Sequence, residues 1–442
     1  MITIVPCEYQ KRRESLLATL TENDVAIVSA ASIVERNEGV EYPYRQDSNF
    51  QYLTGFPEPE AMLVLIPNRE QGQVVLFCRD KDPALEVWTG IRAGQEGAVT
   101  NYHVDQAFSI KQLDEIMPSL LDGRKTVYSL MATQKTLQQQ ISDWVSTVRS
   151  RVRQDAIPPV TFKALEPILH EMRLHKSESE LAVMQYAMDV SAKAHISAMK
   201  ACKAGLFEYS LDAALEYEFR KGGARLVAYN SIIASGANAC ILHYQENNAP
   251  LVAGDLVMID AGCEIDCYAS DISRTFPVSG KFSPAQKALY EIVLAANLAA
   301  IEAVKPGNFY QAPHEVAVKI ITEGLVSLGI LQGDINALIE EKAYTDFYMH
   351  GTGHWLGLDV HDVGAYRLNK QSRLLEVGMV LTIEPGIYIA VDNNNVAEQW
   401  RGIGIRIEDN VVVTEEGHRV MTSKVPKTIK AIEELMVSSF EA

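Results

Sequence analysis

The chain has 442 residues, which is long for one ordinary domain and predicts two. Hydrophobic residues make up 47% of it, enough to fill two cores, while a net charge of −17 argues against nucleic acid or anionic membranes as partners. Neither a signal peptide nor an apolar run of about 18 residues that could span a membrane is predicted. Six cysteines in so long a chain do not indicate a disulfide framework, so we expect a cytoplasmic protein.

The first part of the chain alternates short apolar runs with helix-forming segments. An amphipathic helix is predicted over residues 9–20. Strands are predicted at residues 25–29, 62–66 and 74–77, each followed by a helical stretch, and another strand is predicted at residues 127–130. This order predicts an α/β domain over residues 1–170.

The second domain, residues 171–442, is predicted to alternate long helices with buried strands. Ser177 and Glu180 form a capping-box signature that opens a long helix ending at Gly205. Further helices are predicted over residues 209–221, from Ser283-Pro284 to near Gly307, and over residues 312–328.

One segment of this second domain occurs twice. Residues 251–262 and 375–386 match at a leucine, a glycine, an isoleucine, an acid and a final glycine, all at the same offsets. Each copy predicts a turn, a buried strand, a carboxylate and a tight turn, and a second strand with another acid follows. The repeat therefore predicts two pseudo-twofold halves, each giving two carboxylates from neighbouring strands.

The acids are Asp260 and Asp271 in the first copy and Glu384 and Glu408 in the second. Four carboxylates in an apolar setting repel one another unless cations neutralise them, and His354 adds a fifth candidate metal ligand. A proton-sharing acid dyad is the alternative for the two aspartates, but it leaves the other three groups without a role. Carboxylates with one imidazole favour two Mn²⁺ ions, with Co²⁺ or Fe²⁺ as alternatives, and such a centre activates a water as hydroxide.

Further histidines lie close to these acids in the sequence. His350 precedes His354 in a glycine-rich turn, His361 follows it, and His243 lies upstream of the first copy. One imidazole suffices as a ligand, so the others are free to stabilise a developing oxyanion and to transfer protons in amide hydrolysis. The remaining histidines are interpreted as packed or surface residues; they are His103, His170, His175, His195, His314 and His418.

These motifs resemble those of the pita-bread metallopeptidase family, which includes aminopeptidase P, prolidase and methionine aminopeptidase. The matching segments are residues 259–262, 271–276, 350–357, 361–362, 382–386 and 404–409. Residues 41–56 and Trp88 look like parts of the N-terminal domain of the aminopeptidase P branch. This resemblance implies that Trp88 takes part in substrate binding. The resemblance implies an α/β N-terminal domain followed by an α+β pita-bread domain with duplicated halves.

Residue by residue, the resemblance implies a dinuclear manganese centre. Asp260 would bind one ion, Asp271 and Glu408 would bridge both, and His354 and Glu384 would complete the other. Glu384 is also implied as a proton shuttle.

The same resemblance implies roles around the substrate. His243 and His361 would stabilise the tetrahedral intermediate, while His350, Tyr388 and Arg406 would form the proline pocket.

The predicted activity is release of the N-terminal residue from peptides whose second residue is proline, by attack of a manganese-activated hydroxide. The protein is expected to be a homo-oligomer (dimer or tetramer). The alternatives are an Xaa-Pro dipeptidase (prolidase), a metal-free amidinohydrolase of creatinase type and a non-catalytic binding protein. The complete ligand set disfavours the last two.

Overall fold

The computed structural model describes residues 2–132 and 134–440, and the chain divides into two compact units. One unit is Ile4–Arg173, and the other contains the chain from Leu174 onward together with residues 2 and 3. The division therefore lies a few residues after the boundary that the sequence predicts.

The first unit is built on a six-stranded sheet with the order β6-β5-β4-β1-β7-β8, and β2 and β3 form a separate hairpin. The strands are β1 (Asp24–Ser29), β2 (Glu35–Asn37), β3 (Val40–Glu41), β4 (Met62–Leu65), β5 (Val74–Cys78), β6 (Gln106–Ser109), β7 (Thr126–Ser129) and β8 (Thr161–Ala164). The four strands that the sequence predicts are β1, β4, β5 and β7. The connection between β4 and β5 differs from the prediction, because these strands form an antiparallel pair joined by a turn rather than by a helix. Asn68 and Gly72 take positive φ in that turn, which a tight reversal requires.

Seven helices accompany this sheet in the described part of the unit. They are α1 (Pro6–Thr19), α2 (Ser48–Thr54), α3 (Pro83–Thr89), α4 (Gly94–Tyr102), α5 (Leu113–Leu121), α6 (Lys135–Ser150) and α7 (Glu166–Leu174). The core contains Val25 and Ile27 of β1, Phe77 of β5, Met117 of α5 and Trp144 of α6, all buried.

The second unit contains six helices in its described residues: α8 (Glu178–Ala201), α9 (Glu208–Lys221), α10 (Pro284–Glu302), α11 (Ala312–Ser327), α12 (Ile335–Glu340) and α13 (Ile429–Phe440). The predicted capping box at Ser177 and Glu180 is present, and Ser283 and Gln286 form another at the start of α10. Both helices end four or more residues before the predicted glycine. Nowhere in residues 2–132 and 134–440 is a helix both long and apolar enough to cross a membrane.

The first copy of the repeat forms an antiparallel sheet with the order β10-β11-β14. Its strands are β9 (Leu226–Val227), β10 (Ile232–Ser235), β11 (Leu256–Asp260), β12 (Cys263–Ile265), β13 (Tyr268–Ala269) and β14 (Ser273–Pro277). Asp260 pairs with Ser273, so the chain leaves the sheet after Asp260, forms the β12–β13 excursion and returns just after Asp271. Both aspartates therefore lie at the same end of this sheet.

The second copy repeats this arrangement with its own excursion. Its strands are β15 (Arg367–Leu368), β16 (Gln371–Ser372), β17 (Val380–Ile383), β18 (Gly386–Ile389), β19 (Ile403–Arg406), β20 (Asp409–Thr414) and β21 (Gly417–Val420). Ile383 pairs with Asp409, and β18 and β19 form the excursion, so Glu384 and Glu408 lie where it begins and ends.

The glycine two residues after the first acid of each copy has a packing reason. A Cβ at Gly262 would lie 1.8 Å from the Ser270 carbonyl oxygen, and one at Gly386 would lie 2.8 Å from the Ile405 carbonyl oxygen. Each tight turn therefore requires the close backbone approach that only glycine permits.

Candidate metal centre and active site

All five candidate metal ligands line one cavity of about 650 Å³ in the second unit. His243, His350, His361 and Arg406 line it as well. Atoms of Asp271, His354 and Glu408 lie within 4.8 Å of one another, a group that could hold a metal ion. Glu384 adjoins this group, with its Oε1 3.6 Å from His354 Nε2.

The two aspartates are held by cationic and hydroxyl donors. Arg406 donates to Asp260 Oδ2 at 2.6 Å, and the Tyr229 hydroxyl lies 2.6 Å from Asp260 Oδ1 and also contacts Asp271. Burial raises the pKa of Asp260 although Arg406 opposes the shift. Burial also acts to raise the pKa of Asp271, but the hydrogen bond and the charge of His354 reverse the direction and lower it.

The two glutamates lie in a less compensated environment. Burial raises the pKa of Glu384 to about 7 although His354 and Arg406 oppose the shift. Burial and then the charge of Asp271 raise the pKa of Glu408 well above its usual range. Without a cation, this end of the cavity favours protonated glutamates.

His354 is oriented by its own segment of backbone. Its Nδ1 lies 2.9 Å from the Trp355 carbonyl oxygen, which assigns the proton to Nδ1 and leaves Nε2 facing Asp271 at 3.5 Å. Burial acts to lower the pKa of His354, but Asp271 and Glu384 raise it to about 9. In the metal-free protein this raised pKa favours the protonated, positively charged imidazole beside the carboxylates.

A chain of hydrogen bonds connects the residues assigned to the proline pocket. His350 Nε2 lies 2.8 Å from the Tyr388 hydroxyl, and Arg406 donates to the same hydroxyl at 3.1 Å. Burial and the nearby charge of Arg406 lower the pKa of His350 to about 4, so this ring is neutral at pH 7. Its Nδ1 contacts the Gly351 carbonyl oxygen at 2.7 Å, which assigns the proton to Nδ1 and makes Nε2 an acceptor for Tyr388.

The remaining cavity histidines are carried by loops. The ring of His361 lies 4.1 Å from that of His354, and burial and then the charge of His354 lower the pKa of His361. His243 belongs to a loop anchored by the buried Glu208, which accepts hydrogen bonds from Ser235 and from the Tyr244 hydroxyl at 2.9 Å. Glu208 thus fixes the backbone next to His243.

Trp88 is the one site candidate located in the other unit. It lies on α3, is 85% exposed, and is not among the described residues that line the cavity. Its role in substrate binding stays a prediction.

Sequence reasoning missed several residues that contact the candidate ligands, directly or through the backbone. Tyr229 contacts both aspartates, Ser273 donates to Glu408 Oε2 at 2.8 Å, and the Asn410 side chain contacts the backbone N–H and carbonyl of Asp271. An isolated tyrosine, serine or asparagine carries no pattern that would have revealed these contacts.

The donor set fits divalent metal ions. Four carboxylates and one imidazole share the cavity, and two glutamates show raised pKa values because burial and neighbouring carboxylates disfavour their charge. Hard divalent ions such as manganese prefer oxygen ligands of this kind, and a single imidazole is compatible with first-row transition metals.

Family models match both parts of the chain. Residues 182–415 match metallopeptidase family M24, and residues 9–128 match the aminopeptidase P N-terminal domain. The Xaa-Pro aminopeptidase of Haemophilus influenzae is 46% identical over 97% of each chain.

Solved structures give the same picture. The aminopeptidase PepP of Pseudomonas aeruginosa has a TM-score of 0.99 and 56% identity, with all of both chains covered. Escherichia coli aminopeptidase P with the inhibitor Pro-Leu has a TM-score of 0.97 and 45% identity, again over all of both chains. The predicted architecture, an α/β domain followed by a pita-bread domain with duplicated halves, is confirmed. With a family model covering more than half of its length and relatives matching nearly all of it, this chain belongs to metallopeptidase family M24.

Proposed function

We propose that this protein is an Xaa-Pro aminopeptidase, which releases the first residue of peptides whose second residue is proline. The observation that carries the proposal is the complete set of five candidate ligands in one cavity, beside the His350–Tyr388–Arg406 chain. Relatives named Xaa-Pro aminopeptidase match almost the whole chain, which supports aminopeptidase activity rather than prolidase activity.

The five ligands would hold two Mn²⁺ ions, with Co²⁺ or Fe²⁺ as alternatives. The family resemblance implies Asp271 and Glu408 as the bridging pair, and their oxygens, which lie within 4.8 Å of each other and of a ring nitrogen of His354, support that assignment. Ions held there would supply Lewis acidity, lowering the pKa of a water towards neutrality and polarising the scissile carbonyl.

The substrate is positioned by shape and by charge. An Xaa-Pro bond is a tertiary amide without an N–H group, so a site for it needs to accept the ring rather than pair a donor. The wall formed by His350 and Arg406, which the buried Tyr388 hydroxyl connects by hydrogen bonds, would accept the ring. The acidic residues of the cavity favour a cationic N-terminal amine beside them, which places the first residue and selects a free N-terminus.

Three side chains have geometry suited to the chemical steps. His361 and His243 line the cavity beside the ligands and would donate hydrogen bonds to the oxyanion of the tetrahedral intermediate. Glu384 directs Oε1 towards His354 and Oε2 towards His350 at 3.9 Å, which suits a carboxylate that transfers a proton to the departing proline nitrogen.

The proposal is tested with peptides and Mn²⁺-loaded protein. We expect cleavage of Xaa-Pro-Xaa but not of its N-acetylated form or of Xaa-Ala-Xaa, and close to two Mn²⁺ per chain by metal analysis. Equal cleavage of the alanine peptide would indicate a general aminopeptidase. Cleavage of Xaa-Pro but not of the tripeptide would make prolidase the better assignment, and full activity with one ion per chain would end the dinuclear proposal.

We also propose a cytoplasmic homo-oligomer, a dimer or a tetramer. All six cysteines are free thiols, as the sequence predicts. Val87, Trp88 and Ile91 are 82%, 85% and 89% exposed, and such apolar side chains are suited to burial in a subunit interface. Light scattering on the purified protein tests this, and a monomer at micromolar concentration would contradict it.

A further inference from the structure

Asn297 is a fully buried asparagine on α10 that has no part in the chemistry described above. Its Nδ2 donates to the carbonyl oxygens of Ile383 at 3.0 Å and Ile407 at 3.1 Å. Those residues directly precede Glu384 and Glu408. One amide group therefore holds the backbone next to both glutamates of the second repeat copy.

The orientation of this amide is fixed by a partly buried cation. Lys427 Nζ lies 2.8 Å from Asn297 Oδ1 and 2.7 Å from Asp409 Oδ2, and Asp409 in turn pairs with Arg274 at 2.8 Å. An ammonium group has donors and no acceptor, so the amide oxygen must face Lys427. Both N–H groups of the amide are then directed at the two carbonyls.

The location of this contact explains why a side chain is needed. The β17–β20 ladder ends at the pair Ile383 and Asp409, and the β18–β19 ladder begins at Gly386 and Arg406. Between the ladders the two glutamates diverge from the sheets into the cavity. The carbonyls of Ile383 and Ile407 are buried there, and a buried carbonyl needs a donor.

We propose that Asn297 is a positioning residue for the metal centre, fixing Glu384 and Glu408 at the separation that metal binding requires. The inference rests on the proposed function, because it takes these glutamates as metal ligands. Metal binding needs both glutamates charged and close together, a state in which they repel each other, so a fixed backbone that holds them at this separation favours metal binding. Partners that orient metal ligands typically change metal affinity about 10–100-fold when removed.

The test compares N297D with a control in the same helix. Asn297→Asp keeps the size of the side chain but removes both donors. Leu289→Ala leaves a cavity at a buried position of α10 outside the metal cavity, so it lowers stability without touching the amide. The measurements are the Kd for Mn²⁺ by calorimetric titration of the metal-free protein, and the Tm of that protein.

We expect the Kd of Asn297→Asp for Mn²⁺ to rise at least tenfold, while Leu289→Ala lowers the Tm and leaves the Kd within about threefold of wild type. If Asn297→Asp does not fold, Lys427→Met decides, because it removes the cation that orients the amide and should raise the Kd severalfold. An unchanged Kd in the folded variant would overturn the inference, and so would equal increases in Asn297→Asp and Leu289→Ala.

A wild type that binds Mn²⁺ but cleaves no Xaa-Pro peptide would contradict the proposed function, and the Kd comparison would still test the role of Asn297. A wild type that binds no Mn²⁺ would end both.

Discussion

The two copies of the repeat place their acids at the same points of the backbone but surround them differently. Asp260 and Asp271 receive a guanidinium, a phenol hydroxyl and the imidazole of His354. Among the described residues, the donors to Glu384 and Glu408 include the hydroxyls of Thr382, at 3.3 Å, and Ser273. The first copy therefore receives a direct guanidinium hydrogen bond at 2.6 Å, whereas hydroxyls donate to the second copy and its nearest cationic group, His354, lies 3.6 Å from Glu384.

The electrostatic consequence is visible in the second aspartate and the second glutamate. The pKa of Asp271 is lowered because His354 and Tyr229 outweigh burial, while burial and Asp271 raise the pKa of Glu408 well above its usual range. A duplicated backbone thus supports two unequal sets of ligands. We infer that bound metal ions stabilise the second copy most, because the charges of its two glutamates are the least compensated when no metal is bound.

The largest effect is expected when a candidate bridging ligand is removed from the second copy, which tests whether that copy depends on metal ions. Glu408→Ala should lose Mn²⁺ and reduce activity to that of metal-free protein, because a lost bridging carboxylate loosens both ions. In EDTA the variant should unfold at a Tm close to that of metal-free wild type, because the desolvation penalty of the buried carboxyl is lost together with its hydrogen bond from Ser273. Metal analysis, a peptide assay and thermal unfolding in EDTA check these outcomes. A fully metallated, active Glu408→Ala protein would refute the bridging assignment.

Two histidines separate metal binding from catalysis. His354→Ala should lower both metal content and rate, because Nε2 faces the carboxylates. His361→Ala should retain metal but lose on the order of 10²–10³ in kcat, as for removal of one oxyanion donor. Metal content and kcat of the two proteins, prepared side by side, provide the measurement. Equal metal loss in both would contradict this division of roles.

The candidate ligands could be predicted from the sequence because their signal is local. A strand, an acid and a glycine two residues later recur in register, and the structure brings both copies into one cavity. The supporting residues carry no such signal: Asn297 acts on a carbonyl 110 residues away, and Asn410 contacts a backbone group 139 residues away. Such contacts depend on tertiary packing, which periodicity within a segment does not report. The β4–β5 turn was missed for the same reason, since pairing between strands decided it.

The pH dependence of the metal-free protein sharpens the comparison. Burial raises the pKa of Glu384 to about 7, above its ordinary value of 4.5, so the folded state binds its proton more tightly than the unfolded chain does. The stability from that proton is fully present below pH 4.5 and is lost as the pH rises through about 7. In EDTA, Glu384→Gln should therefore gain about 3 kcal/mol in free energy of unfolding relative to wild type between pH 4.5 and 8.5. Denaturant unfolding at both pH values measures the difference, and a constant difference would show that the charge of Glu384 is already compensated.

The smallest effect concerns the donors themselves. Burial, Asp260 and Asp271 raise the pKa of Tyr229 well above its usual range, so its hydroxyl stays protonated and donates to both aspartates, of which Asp271 has a lowered pKa that favours its charged form. Tyr229→Phe should cost the metal-free protein about 2 kcal/mol at pH 7.5, as expected for a hydrogen bond to a charged group.

Ser273→Ala is the matched change in the second copy, where the hydroxyl donates to Glu408. Burial and the charge of Asp271 raise the pKa of Glu408 and so favour its neutral form, and a hydrogen bond to a neutral carboxyl should be worth about 1 kcal/mol. Unfolding of the two variants in EDTA gives the comparison directly. Equal costs would mean that the two copies are electrostatically alike, whereas the larger cost for Tyr229→Phe would place the charged carboxylates of the metal-free protein in the first copy.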